Sequence, residues 1–150
     1  MNASETLKKI INILGAAKKV AVFCHMRPDG DTLGAALGLR AALGDKADVY
    51  CDSEISDYYD VFPNIGAVLR SKDLQGEYDA FAAVDCAEPA RLGMYEKKFL
   101  KHKNSIAVDH HATNGGFAAL DHIAPSASST CEIMLNVIRE LGGLNPLSAL

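Results

Sequence analysis

Three short segments carry most of the residues able to do chemistry: His25-Met26-Arg27-Pro28-Asp29-Gly30-Asp31, Val84-Asp85 and Asp109-His110-His111. Carboxylates mixed with imidazoles suit divalent cations, and donors in this number point to two ions of the manganese or magnesium type. Asp29 and Asp31 are separated by one residue in a turn, so each carboxylate can serve a different ion. Pro28 restricts the backbone ahead of them, and Gly30 permits close approach between them. Asp85 ends an apolar run and is placed to bridge two ions, which stand about 3.5–4 Å apart in sites of this kind. In Asp109-His110-His111 one histidine can ligate while Asp109 orients its neighbour, leaving the other imidazole for substrate.

Each segment also has a plainer structural reading. Pro-Asp-Gly is a common turn, and Asp31 can simply cap the helix that follows. Asp85 can lie at a sheet rim or cap a helix near Glu88, and Asp109-His110-His111 can be a polar strand end. Chemistry gains weight because all three segments follow apolar runs that read as β-strands: Lys19–Cys24, Asp79–Val84 and Ser105–Val108. In an open parallel sheet the C-terminal strand ends share one edge, where ligands bind.

The elements that must hold this edge alternate along the chain. Leu7, Ile10, Ile11 and Leu14 recur at helical spacing, with Ser4 as N-cap and Gly15 near the stop. A small-residue helix runs from about Asp31 to Leu43 and ends at Gly44, with its first N–H groups suited to phosphate. Ala47–Asp52 reads as another strand, followed by an irregular stretch containing Pro63. A short helix is expected near Pro89–Gly93, a turn at Asn114-Gly115-Gly116, and an extended piece over Ala118–Ile123. Ser129 opens a helix through Ile138 as a capping box with Glu132 reaching back. Ser129 and Thr130, at that N-terminus, are candidate phosphate contacts. The pattern predicts an α/β fold, a Rossmann-like, mostly parallel sheet with helices on both faces. Asn145-Pro146 resembles a further helix start close to Leu150, from which the chain is expected to be an incomplete domain of a longer protein.

The remaining chemistry-bearing residues read as structural. Lys101-His102-Lys103 resembles a solvated basic loop, and Asp121-His122 lies at the surface or behind the ligands. Cys24, Cys51, Cys86 and Cys131 have neither metal-finger spacing nor a pairing pattern, so reduced thiols are expected, buried in the case of Cys24 and Cys86. At 150 residues the chain is one domain by length, with 49% hydrophobic and 23% charged residues. It contains no stretch of the roughly 20 apolar residues a membrane span needs, and its start lacks a secretion signal, so a cytoplasmic location is expected and no membrane partner. A net charge of −4 argues against long duplex nucleic acid as a partner.

Taken together the segments resemble the motifs of the DHH phosphoesterase superfamily. The Asp-His-His signature is Asp109-His110-His111, His25 to Gly34 resembles its first motif, Asp85 its second, and Ala127 to Glu132 a further segment of its small-substrate branch. The likeness is nearest to the bifunctional oligoribonuclease/pAp phosphatases. It implies His25 and Asp29 on one manganese, Asp31 and His110 on the other, Asp85 bridging, His111 at the scissile phosphate and Asp109 supporting from behind. Ala35 departs from the serine common after the glycine. The resemblance also implies another metal-binding aspartate and a second, substrate-gripping domain, neither of which is found in these 150 residues.

The function implied is two-metal hydrolysis of short oligoribonucleotides and of 3′-phosphoadenosine 5′-phosphate, with Mn2+ or Mg2+ as cofactor and a homodimer as a possible assembly. Alternatives within the superfamily are cyclic dinucleotide phosphodiesterases, single-strand exonucleases and inorganic pyrophosphatases. A non-catalytic metal- or nucleotide-binding module is the alternative of another class, and a Rossmann-like structural domain with chance acidic turns the weakest.

Overall fold

Residues 2–142 are described by a computed structural model of the chain. In chain order its elements are α1 (Ala3–Ala16), β1 (Val20–Phe23), α2 (Gly30–Leu43), β2 (Ala47–Tyr50), β3 (Val68–Leu69), β4 (Ala80–Val84), α3 (Glu96–Lys101), β5 (Ser105–Asp109), β6 (Leu120–Ile123) and α4 (Thr130–Glu140). The expected helix start at Asn145-Pro146, and the leucines at 144, 147 and 150, lie outside the described residues.

Buried apolar runs dictate the sheet. β1, β4 and β5 are buried along their whole length, so they read as continuous apolar stretches rather than alternations. Six strands pair in the order β3-β2-β1-β4-β5-β6, every pair parallel. Successive side chains point to opposite faces. Val20, Val22, Ala82, Val84, Ile106 and Val108 pack in one layer with Ile10 and Leu14 of α1, Leu33 and Leu39 of α2, and Ile133 and Val137 of α4. Ala21, Phe23, Phe81 and Ala83 pack on the other face with Leu92, Tyr95 and Phe99. There Phe23 meets Phe81 edge-on at 5.1 Å between ring centroids. The expected α/β fold with helices on both faces is therefore present, and among the described residues the sheet is wholly parallel.

The small residues of α2 have a packing reason. A Cβ at Gly34 would stand 2.9 Å from Cys131 Sγ, and one at Gly38 would stand 3.2 Å from Ile138 Cδ1. Two glycines one helical turn apart thus let α4 lie close against α2, which brings the two helix N-termini together. Ala35 is buried in the same layer.

Local details differ from the sequence expectations. Asn2, not Ser4, caps α1, in a reciprocal pair with Glu5. Asp29, not Asp31, caps α2, accepting from the Asp31 and Thr32 N–H groups. Ser129 caps α4 as expected, but the Glu132 carboxylate accepts from the N–H and hydroxyl of Ser128. β3 and α3 were not anticipated. His102 is no solvated loop residue: its ring stacks on Phe81 with centroids 4.1 Å apart. All four cysteines are free, with Cys24, Cys51 and Cys86 buried. Burial pushes the Cys86 thiol up to about 12 and the Cys51 thiol up to about 11. No helix among the described residues is long and apolar enough to cross a membrane.

Gly93 breaks the helical turns between β4 and α3 with φ +59°, a conformation that favours glycine. A Cβ there would overlap the Asp52 carboxylate, which meanwhile accepts the Met94 N–H at 2.8 Å. Gly93→Ala is expected to destabilise by about 2–4 kcal/mol, combining backbone strain with overpacking. Thermal unfolding followed by circular dichroism measures this, and an unchanged Tm would contradict it.

Candidate metal centre

The strand order reverses between β1 and β4, whose neighbours on the far sides are β2 and β5. Loops leaving two such strands run to opposite directions and open a crevice at the C-terminal edge. His25 follows β1, Asp85 follows β4, and Asp109 ends β5, so all three sequence segments arrive at this edge. Two residues at the rim hold left-handed backbone, Arg27 at φ 53° and Asp85 at φ 58°. Such conformations cost of order 1–3 kcal/mol in non-glycine residues and cluster at functional sites.

Asp85 stands at the centre and is 1% exposed. One of its oxygens, Oδ2, faces His25 Nε2 at 3.7 Å. The other, Oδ1, faces His110 Nε2 at 3.7 Å and accepts a hydrogen bond from Thr130 Oγ1 at 2.8 Å. Asp29 Oδ1 completes the first group, 3.8 Å from His25 Nε2, and Asp31 Oδ2 lies 3.7 Å from His110 Nε2. These separations are too long for hydrogen bonds. They match donors that share an ion, since ligands about 2.0–2.6 Å from one cation stand roughly 3–4 Å apart. Two clusters of donor atoms meet at Asp85, His25-Asp29-Asp85 and Asp85-His110-His111, each with its atoms within 4.8 Å of one another. The donor set of oxygen and imidazole nitrogen fits manganese or magnesium chemistry better than that of a thiolate metal.

Asp31 has a second task that sequence did not reveal. Its two oxygens accept the N–H groups of Thr130 and Cys131, each at 2.8 Å. Burial pushes its carboxyl pKa up, but the Cys131 and Thr130 hydrogen bonds and nearby His110 outweigh that and hold it below the usual carboxylate range. The α4 N-terminus expected to face a phosphate through Ser129 and Thr130 is thus occupied differently. Its N–H groups hold Asp31, the Thr130 hydroxyl holds Asp85, and the Ser129 hydroxyl accepts from Glu132 N–H at 3.1 Å.

Behind the histidines Asp109 is fully buried. Its Oδ1 accepts the His110 N–H at 2.8 Å and receives His111 Nδ1 at 2.7 Å, while Oδ2 accepts from Asn114 Nδ2 at 2.8 Å. The hydrogen bond to Asp109 raises the His111 pKa above its ordinary value. His111 approaches Asp85 through Nδ1, the same atom that Asp109 engages. Nε2 is thereby left for another partner, which favours a substrate role over ligation.

Two residues at this centre escaped sequence reading. Asn114 resembled a turn residue because it precedes Gly115-Gly116, yet its side chain is buried and ties Asp109 to the Cys86 carbonyl. Arg91 looked like part of a short helix, and its Nη2 lies 2.9 Å from His25 Nδ1. By contrast His122, although buried, belongs to neither donor cluster, and burial keeps its imidazole below the ordinary pKa. Beside the donors, a groove of about 450 Å³ is lined by Ser53, Ile55, Val68 and Arg70. The groove contains none of the donor residues, so the chemistry belongs to the Asp85 cluster and the groove is at most its annex.

Comparison with known proteins places the chain in a family. The chain is 31% identical over 154 aligned positions to the bifunctional oligoribonuclease and PAP phosphatase NrnA of Thermus thermophilus, covering 92% of this chain and 42% of that protein. It is 26% identical to an uncharacterized protein of Mycoplasma pneumoniae over 91% of this chain and 42% of that one. The chain therefore spans less than half the length of the curated relatives it matches. The crystal structure of an exopolyphosphatase-related protein from Bacteroides fragilis shares the fold, with a TM-score of 0.83, 22% identity, and coverage of 93% of this chain and 44% of that one. Residues 19–148 match the N-terminal domain of the DHH family, and the chain belongs to that family.

Proposed function

We propose that this chain is the metal-binding half of a two-metal phosphoesterase that acts on short oligoribonucleotides and on 3′-phosphoadenosine 5′-phosphate. The observation that carries the reading is Asp85, whose two oxygens face two separate histidines at 3.7 Å from a position shared by both donor clusters. The likeness to a bifunctional oligoribonuclease and PAP phosphatase supports the substrate class. In this reading His25 and Asp29 would hold one cation, Asp31 and His110 the other, and Asp85 would serve both, with manganese the favoured ion.

When bound, the two ions supply Lewis-acid stabilisation of phosphoryl charge and lower the pKa of an attacking water. The chain's own residues do the rest. Asp109 holds the His111 ring by Nδ1, so Nε2 is presented to the reacting phosphate. From there an Nε2 proton could pass to the departing oxygen. Asp31 and Asp85 are fixed by the α4 N-terminus, so their carboxylates are positioned before any ligand arrives. The reading includes the expected further aspartate and substrate-gripping domain, for which the greater length of the relatives leaves room.

The test is product release from a 5′-phosphorylated diribonucleotide and from 3′-phosphoadenosine 5′-phosphate, with manganese and again after chelation. Mononucleotide and inorganic phosphate are expected, respectively, and chelation abolishes both. Release unaffected by chelation ends the two-metal reading. Metal-dependent binding of the nucleotides without release, in this chain and in a longer form bearing the second domain, favours a binding module instead.

A further inference from the structure

Arg91 touches a candidate ligand in a way that one imidazole nitrogen cannot sustain. His25 Nδ1 lies 2.9 Å from Arg91 Nη2 and also 2.9 Å from the Met26 carbonyl. A guanidinium only donates, so Nδ1 must accept from it with a lone pair. The Met26 carbonyl only accepts, so Nδ1 must carry a proton to reach it. Both bonds cannot exist at once, and the choice fixes the other ring nitrogen. Accepting from Arg91 places the proton on Nε2, the atom that faces Asp29 and Asp85. Donating to Met26 frees the Nε2 lone pair for a cation.

Ligation of a cation through Nε2 therefore selects the Met26 bond and deprives Arg91 of its acceptor. The backbone keeps the guanidinium at the site nonetheless, because the Met26 N–H donates to the Arg91 carbonyl at 2.7 Å and the Arg91 N–H to the Glu88 carbonyl at 3.1 Å. Arg91 is half-buried, and among the described residues no ion pair holds it. A half-buried guanidinium without an acceptor is costly, and a phosphoryl group supplies the oxygens it lacks in a geometry suited to two parallel hydrogen bonds.

Resting on the metal reading above, we propose that Arg91 is a substrate-binding residue that engages the phosphoryl oxygens once His25 has taken a cation. When His25 presents its Nδ1 lone pair instead, the ring itself accepts from Arg91. Binding of the ion and of the phosphate are thereby coupled through a single imidazole nitrogen.

The test uses manganese and inorganic phosphate as probes on the wild type, Arg91→Ala and Arg91→Lys. Manganese affinity is measured by electron paramagnetic resonance and phosphate affinity by calorimetry at saturating manganese. Arg91→Ala is expected to weaken phosphate binding about 10- to 100-fold, the range for a lost charge-assisted hydrogen bond, and to leave manganese affinity equal or higher. Arg91→Lys, which keeps the charge without the planar fork, recovers only part of it. Reduced manganese affinity with unchanged phosphate binding overturns the proposal and makes Arg91 a prop for the His25 ring. Phosphate binding that is absent from manganese-loaded wild type overturns it as well. Failure of the wild type to bind manganese removes the metal reading itself, which separates the two failures. The Arg91→Lys variant keeps the comparison open should Arg91→Ala fold poorly.

Discussion

Asp85→Asn is expected to lower metal-dependent turnover by on the order of 10³-fold or more while the fold survives. Asparagine preserves the side-chain shape, accepts the Thr130 hydroxyl as Asp85 does, and tolerates the left-handed backbone that this position adopts at φ 58°. What it loses is the negative charge and one of the two oxygens that face His25 and His110. A neutral amide cannot bridge two dications, so both donor clusters are damaged by one substitution. The measurement pairs release from the 5′-phosphorylated diribonucleotide with a thermal melt. Turnover within tenfold of the parent would refute the bridging role. Lost turnover accompanied by a collapsed Tm would show instead that the residue is chiefly structural.

The second large effect is expected at Asp109, which touches no cation in the proposed arrangement. Asp109→Ala removes the fully buried carboxylate that accepts from the His110 N–H, His111 Nδ1 and Asn114 Nδ2. Breaking one side of a buried charged network costs about 3–5 kcal/mol, here roughly a 10 °C fall in Tm. Turnover should fall about 10- to 100-fold in the fraction that remains folded, because the His111 ring loses its orientation. pH separates this from a general core defect in the metal-free protein. Because the folded His111 pKa is raised by Asp109, that stabilisation is complete below the unfolded value and is lost as pH rises through the folded one. The stability gap between parent and variant should therefore widen as pH is lowered toward 6. A gap that is constant with pH would mean that the carboxylate acts on His111 only as a space-filler.

The candidate site was legible because its donor residues follow the most uniformly buried strands. β1, β4 and β5 are apolar on both faces, so a histidine or carboxylate immediately beyond them stands out. The fold followed from the same runs and from the helices between them. Non-local partnerships were not legible. Asp31 meets the α4 N-terminus across 99 and 100 residues of sequence, and nothing in the spacing announces that Asp29 rather than Asp31 caps α2. Arg91 and Asn114 were hidden by strong local signals, a proline-led turn and a double glycine, that account for the backbone and say nothing of where the side chains go. His102 shows the same limit from the opposite side. Two flanking lysines read as solvated, yet the ring between them packs on Phe81. β3, with two residues, and α3, with six, are too short to leave a periodic pattern.

The hold of α4 on Asp31 also bears on how the proposed two-metal site would acquire its ions. His25 and Asp29 come from the first third of the chain, Asp85 and His110 from beyond its middle, and the N–H groups that set Asp31 from residues 130 and 131. Asp31 and Asp85 gain their Thr130 and Cys131 hydrogen bonds only when the last helix docks, a contact of high sequence separation that forms at the entropic expense of closing most of the chain. In the proposed two-metal reading, firm ion capture would wait for that contact, and by mass action each bound ion would resist unfolding in return.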